Sequence, residues 1–245
     1  MNWLLFFSSF IFVTVVAVEL PEYLHVCSRN DPNIDSCIKD SVEHLKPYLV
    51  KGVPEFNIPS LEPLILDEVV ATEGTAGIKL TARDVHAYGA SNFIVLNIKS
   101  HMDTLDFDVD IQLPHLYIDA QYEIDGRVLL LPITGTGRLT GNFTECTGFV
   151  NFKAEIQKKS DGQDYFMVKE FTLKITINKG SLNLDNLFNG DKVIGDVVNN
   201  AINANFDAFL KELLPMIDAA LAKKFYEIGN SVVEQFTYDQ LFPVN

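Results

Sequence analysis

From residue 105 to residue 177 the chain repeatedly alternates apolar and polar positions. Leu105, Phe107, Val109, Ile111 and Leu113 are separated by Asp106, Asp108, Asp110 and Gln112. Leu116, Ile118, Ala120, Tyr122 and Ile124 alternate with Tyr117, Asp119, Gln121 and Glu123. Val150, Phe152, Ala154 and Ile156 repeat the pattern, and so do Phe171, Leu173, Ile175 and Ile177. Successive side chains of a strand point to opposite faces, so each run has one wet and one dry face. Asp125-Gly126, Ser160-Asp161-Gly162 and Asn178-Lys179-Gly180 predict turns between the runs. The pattern predicts a long antiparallel meander whose apolar face another element must cover.

Two other stretches carry a helical period. Ile38, Val42, Leu45 and Leu49 recur at three- and four-residue steps, with Asp35 or Ser36 as the cap and Pro47 near the end. From Asp191 to about Val233 the stripe is longer and broader. Ile194, Val198, Ile202, Phe206, Phe209, Leu213, Ile217, Leu221 and Phe225 mark it, widened by Val197, Ala201, Leu210, Leu214 and Ala220. A helix this apolar is wrapped on several sides and could run ~60 Å. Pro215 is expected to kink or split it near Lys211. Between the first helix and the meander, residues 52–63 hold Pro54, Pro59 and Pro63 and read as an extended surface segment.

The amino terminus changes the picture by placing the chain outside the cell. Residues 1–18 hold no charged side chain and contain the apolar runs Leu4-Leu5-Phe6-Phe7 and Phe10-Ile11-Phe12-Val13. That length fits the ~7–15-residue core of a secretory signal and falls short of the ~20 residues of a spanning helix. Residues 1–17 are read as a signal peptide, with cleavage after Ala17 or Val18, and residues 18–245 as a single secreted domain. No later segment is apolar for long enough to span a bilayer, so stable membrane insertion is not expected. The net charge of −14 argues against nucleic acid as a partner and against an anionic membrane surface. It favours a dispersed, soluble chain, read here as a monomer.

In an oxidising compartment Cys27 and Cys37 should close a short loop, worth about 2–3 kcal/mol by loop-entropy reasoning. Cys146 remains as a buried thiol or the site of an intermolecular bridge. Asn142-Phe143-Thr144 is a glycosylation sequon in a secreted chain.

Candidate chemistry mostly dissolves. Gly135-Thr136-Gly137-Arg138-Leu139-Thr140 lacks the third glycine of a dinucleotide fingerprint, and no helix signal follows it. Gly135, Gly137 and Gly141 share one strand face, which suits close approach of a helix or a ligand. Asp106, Asp108 and Asp110 lack the glycine and final glutamate of a calcium loop and read as a solvated strand face. The five histidines show no metal-ligand spacing. No G-x-S-x-G elbow occurs, and Cys146 carries no catalytic signature. No catalytic residue, metal or cofactor is predicted, and the chain is not read as an enzyme.

Four ordered stretches resemble the takeout / haemolymph juvenile-hormone-binding protein family of insects. They are Leu20-Pro21 through Cys27 and Cys37; Gly52-Val53-Pro54 with Ile58-Pro59-Ser60-Leu61-Glu62-Pro63-Leu64; Tyr122 followed by residues 126–133, Gly135 and Gly137; and residues 186–191, Asn200, Asn203, Asn205 and Phe206, ending in Leu241-Phe242-Pro243. The resemblance implies an α+β, TULIP-like fold. In it a long C-terminal helix is wrapped by a strongly curved antiparallel sheet enclosing an elongated apolar tunnel. It implies a carrier of juvenile hormone or another lipophilic ligand, linked in takeout-like relatives to circadian output, feeding and chemosensation. Hormone-binding members carry a second cysteine pair; Cys146 has no partner, which places the chain toward the takeout-like branch.

A carrier works by burying apolar area at roughly 25 cal/mol per Å². By alternation, Phe107, Val109, Ile111, Leu116, Ile118, Phe152, Phe171 and Leu173 are the candidate lining, and Tyr122 is a candidate hydroxyl for a ligand oxygen. Two alternatives stand beside the carrier: a signalling factor with an unidentified receptor, and a secreted lipid-acting enzyme.

Overall fold

The computed structural model describes residues 19–71, 78–128 and 131–244. The expected signal peptide at 1–17 lies outside the described residues. The elements run α1 (Ile34–Leu49), β1 (Leu64–Ala71), β2 (Lys79–Tyr88), β3 (Ile94–His101), β4 (Asp106–Val128), β5 (Leu131–Lys158), β6 (Asp164–Leu184), α2 (Lys192–Ala204), α3 (Phe206–Val233) and α4 (Tyr238–Leu241). The strands form one antiparallel sheet in the order β1-β2-β4-β5-β6. β3 pairs with the first half of β4, beside the stretch that β2 leaves free. Helix α3 touches both β1 and β6, the two edges of the sheet, so the sheet curls around the helix.

The meander is longer and less interrupted than its turn signals suggest. Asp125-Gly126 lies inside β4, paired with Thr134 and Ile133, and the pairing continues to Val128 opposite Leu131. Asn178-Lys179-Gly180 lies inside β6. Here the strand changes phase instead of turning. Leu113 and Leu116 of β4, Cys146 and Phe143 of β5, and Ile177 and Leu182 of β6 all pack into one cluster. In each strand the inward positions switch parity at one level, where both ladders skip Pro114, Glu145 and Asn178. Glu145 takes a left-handed conformation there, with φ of 55°. The three long strands thus shift together, and the dry face stays on one side. The turn expected at Ser160-Asp161-Gly162 does form, with Gly162 at φ of 80° and Asp161 accepting the Gln163 N–H.

Three helix expectations are corrected. Asn33 occupies the N-cap position of α1, while the Asp35 carboxylate accepts the Ser100 N–H at 2.8 Å and ties the helix to β3. The proline-rich stretch folds into a tight helical turn at Pro54–Phe56, so it is not extended throughout. The long C-terminal helix breaks at Asn205, and α3 continues through Pro215. Asn205 ends α2, its amide donating to the Ala201 carbonyl, and begins α3. A short polar side chain that bonds nearby backbone favours such a junction.

The last edge of the sheet is closed by side chains. β6 has β5 on one side and, among the described residues, no strand on the other. Asn230 accepts the Val168 N–H at 2.9 Å and donates to its carbonyl at 3.0 Å. Asn203 does the same for Leu182, at 2.9 and 2.8 Å, and Asn199 for Leu184, at 2.9 Å both ways. Asp218 accepts the Ile175 N–H at 3.1 Å. A carboxamide carries one acceptor and two donors on a planar group, so it substitutes for the missing neighbouring peptide.

Gly135 and Gly137 serve the chain that leaves β6, and neither the helix nor a ligand is what approaches them. A Cβ on Gly137 would sit 2.4 Å from the Asp185 carbonyl oxygen, and one on Gly135 would sit 3.0 Å from the Leu187 Cα. Gly141 makes room for the Phe143 ring. Cys27 and Cys37 form a disulfide. Cys146 is a free thiol with 0% exposure, among Phe143, Phe206 and Leu210.

Two outcomes follow from this packing. Asn230→Ala leaves both backbone groups of buried Val168 without partners. The expected loss is ~1–3 kcal/mol, lowering Tm by about 2–4 °C per kcal/mol. Asn230→Asp, which keeps only the acceptor, should fall between; an unchanged melting curve for Asn230→Ala would refute the clamp. Burial pushes the Cys146 thiol from 9.0 up to about 11. The unfolded thiol therefore ionises first, and stability falls as pH rises from about 9 toward 11. Denaturant titrations at pH 7 and 10 should show wild type losing about 1 kcal/mol more than Cys146→Ala.

Candidate ligand-binding site

The apolar face divides along its length. At one end it is filled: Tyr122, Ile124, Leu184, Leu187, Phe209 and Leu213 form a closed core. Tyr122 is 2% exposed, and its hydroxyl donates to the Asp185 carbonyl at 2.7 Å. Burial, with Asp185 nearby, pushes that hydroxyl up to about 12. At the other end the face is not filled. An inner cavity of about 310 Å³ lies between the first halves of β4 and β6, the end of α3, α1 and the C-terminal segment.

Cross-strand pairing builds its wall. Phe107 of β4 stands opposite Phe152 of β5, which stands opposite Phe171 of β6. The rings lie nearly parallel, with centroids 4.8 and 6.3 Å apart. Phe166 meets Phe107 edge-on, and Phe242 packs against both. Across the space, α3 presents Phe225, Tyr226, Gly229 and Val233, while α1 adds Ile38 and Val42. At Gly229 an added Cβ would meet nothing within 4 Å. The cavity is therefore shaped partly by a missing side chain.

At one end of the cavity the disulfide loop and the C-terminal segment meet. The disulfide loop docks on the C-terminal segment through the Arg29 N–H to the Pro243 carbonyl at 3.0 Å. Ser28 and Asn30 side chains donate to the Val244 carbonyl. The Arg29 guanidinium lies 4.4 Å from the centre of the Tyr238 ring and pairs with Asp239.

Beside the inner cavity an open groove of about 770 Å³ runs between β6 and α3. Phe171 and Tyr226 line both volumes. The remaining floor is Leu173, Pro215, Ala219 and Ala222, and Lys169, Lys174, Lys223 and Asp218 also line the groove. The groove occupies the stretch between the Val168–Asn230 and Ile175–Asp218 clamps, where no helix side chain bridges to β6 among the described residues. Burial raises the Asp218 carboxyl, opposed by the Ile175 N–H and the nearby Lys174 ammonium.

Of the candidate lining residues, Phe107, Phe152 and Phe171 meet at the inner cavity, and Phe171 and Leu173 line the groove. Val109 and Ile111 lie half-buried on the same inward face. Leu116 and Ile118 pack against the cluster around Phe143 and Phe206. The contributions of α1, Leu24, Val26 and Phe242 are not readable from alternation, because they come from segments distant in sequence. Asn142 is exposed on the outer face of β5, 2.6 Å from the His115 Nε2. Asp106 and Asp108 are half-buried and share the Asn151 amide at 2.8 Å each. Among the described residues no group of three His, Cys, Asp or Glu side chains is placed to hold a metal ion. No described helix is long and apolar enough to cross a membrane.

Comparison with known proteins agrees with this architecture. The chain is 29% identical over 231 residues to the circadian clock-controlled protein daywake of Drosophila melanogaster, covering 91% of this chain and 88% of the relative. The Drosophila yakuba protein of the same name is 27% identical over 217 residues, covering 85% and 84%. The crystal structure of Epiphyas postvittana Takeout 1 superposes with a TM-score of 0.74 at 22% identity, over 89% of this chain and 99% of that one. Residues 5–243 match the profile of the haemolymph juvenile hormone binding protein family, and the chain belongs to that family.

Proposed function

We propose that the protein is a secreted carrier that holds a hydrophobic small molecule in the inner cavity between the Phe107–Phe152–Phe171 row and α3. The cavity itself carries the reading. Protein interiors pack as densely as organic crystals. A partly open pocket of about 310 Å³ leaves its phenylalanine walls short of the apolar contacts that a packed interior supplies. A ligand restores those contacts, and the two adjoining volumes fall in or near the ~300–1,000 Å³ range of small-molecule sites. Terpenoids related to juvenile hormone, fatty acids and similar lipids are the cargo classes that suit such walls. Family membership and the Cys27–Cys37 disulfide support an extracellular location. The name of the Drosophila relatives supports a link to daily rhythm, with feeding or chemosensory physiology as the wider setting.

A protein partner has one observation of its own. Val193, Ile194 and Val197 of α2 are 74%, 46% and 62% exposed, away from the cavity, and would suit a receptor contact that leaves the cargo untouched.

Gly229 separates carriage from folding. Gly229→Leu projects into the void with no backbone to strike, and it replaces a glycine inside a helix, a change favourable by ~1 kcal/mol. The variant should melt at or above the wild-type temperature while its affinity for the neutral fluorescent probe N-phenyl-1-naphthylamine falls at least about tenfold. Equal probe binding by both proteins would reject the inner cavity as the site.

A further inference from the structure

The groove between β6 and α3 differs chemically from the inner cavity it adjoins. The inner cavity is walled almost wholly by apolar side chains. The groove has an apolar floor and three lysines, Lys169, Lys174 and Lys223, on a chain whose net charge is −14. Lys169 is held by Glu155 at 2.8 Å. Among the described residues neither Lys174 nor Lys223 forms an ion pair with a carboxylate. Asp218 subtracts one charge: its carboxylate accepts the Ile175 N–H and interacts electrostatically with the nearby Lys174 ammonium. Two lysines without a carboxylate ion pair thus line an opening that shares Phe171 and Tyr226 with the apolar cavity.

The backbone adds donors on the same side. In an antiparallel pair, alternate residues turn both N–H and C=O away from the partner strand. Ile175 does so, since Asp218 takes its N–H, and by the same alternation Leu173 and Phe171 turn theirs toward the groove. Asp218 shows that a carboxylate fits against this edge. No helix side chain clamps it at Leu173 or Phe171 among the described residues.

We propose that the groove is a headgroup site and that the cargo is a single-chain anionic amphiphile. Its charged end lies at Lys174 and Lys223, and its tail passes Phe171 and Tyr226 into the inner cavity. This rests on the carrier reading and names the class of molecule carried. A neutral lipid of the same length would gain the tail contacts and forgo the two lysines.

Palmitate and hexadecanol, which share a chain length and differ in charge, provide the test. The full secreted chain should bind palmitate about tenfold more tightly than hexadecanol at low ionic strength, and the preference should shrink with added salt. Lys174→Gln with Lys223→Gln should bring palmitate down to the level of hexadecanol and leave hexadecanol unchanged. The corresponding arginine pair should retain the preference. Equal binding of acid and alcohol by wild type, or a preference that survives the glutamine pair, overturns the headgroup site. If both lipids bind equally and Gly229→Leu abolishes both, the carrier reading stands and the anionic cargo alone fails. If neither lipid nor the naphthylamine probe binds, both readings fail.

Discussion

The bond between a sheet edge and a helix side chain governs this molecule. β6 ends the sheet with a row of backbone groups that need partners. Most folds give such an edge another strand or leave it to water. Here Asn199, Asn203, Asp218 and Asn230 reach from α2 and α3 and take its place. The consequence is geometric. A strand neighbour would hold the next element about 5 Å away and parallel to the sheet surface. A helix tethered through its amides lies across the apolar face, and the sheet must curl to meet it at β1 as well.

The same device explains where the molecule is open. Clamps stand at Leu182 and Leu184 near one end and at Val168 near the other, with Ile175 between. Below the first pair the core is closed around Tyr122 and Leu187. Between Val168 and Ile175 the helix offers Ala219 and Ala222, which neither bond the edge nor fill the space. The groove is thus what remains of an edge that side chains close only at intervals. Small residues on one helix face and apolar residues on the facing strand keep it lined but not packed.

Much of this was legible from period alone. The alternation of Phe107, Phe152 and Phe171 identified the inward face, and the breadth of the C-terminal stripe fits α3 against the sheet, whereas Ile194 and Val197 of the same stripe are exposed on α2. What failed did so for local physical reasons. Asn178-Lys179-Gly180 has turn composition, yet the residues opposite it also change phase, so the strand continues; no single strand contains that information. Pro215 was the obvious breaker, but Asn205 made the break, because an asparagine whose amide bonds the carbonyl four residues earlier ends a helix without announcing itself. The clamp was invisible for a related reason. Asn203 and Asn230 look like ordinary polar positions on a helix, and only the unpaired edge of a distant strand gives them a task.

This explains why the ordered motifs identify the family so much better than they identify its cargo. The stretches that carry the likeness are joints: the disulfide loop against the C-terminal segment, Gly135 and Gly137 under the chain at 185–187, and Asn203 on the edge of β6. Each is fixed by hydrogen-bond geometry or by the absence of a Cβ, where few residues substitute for another. The cavity wall obeys a looser rule. Hydrophobic side chains of similar volume exchange at small cost when they need only exclude water. A fold can therefore persist at 22% identity with a TM-score of 0.74. If the proposed carriage holds, the lysines of the groove and the missing side chain at Gly229 would constrain a cargo more tightly than the many apolar residues around it.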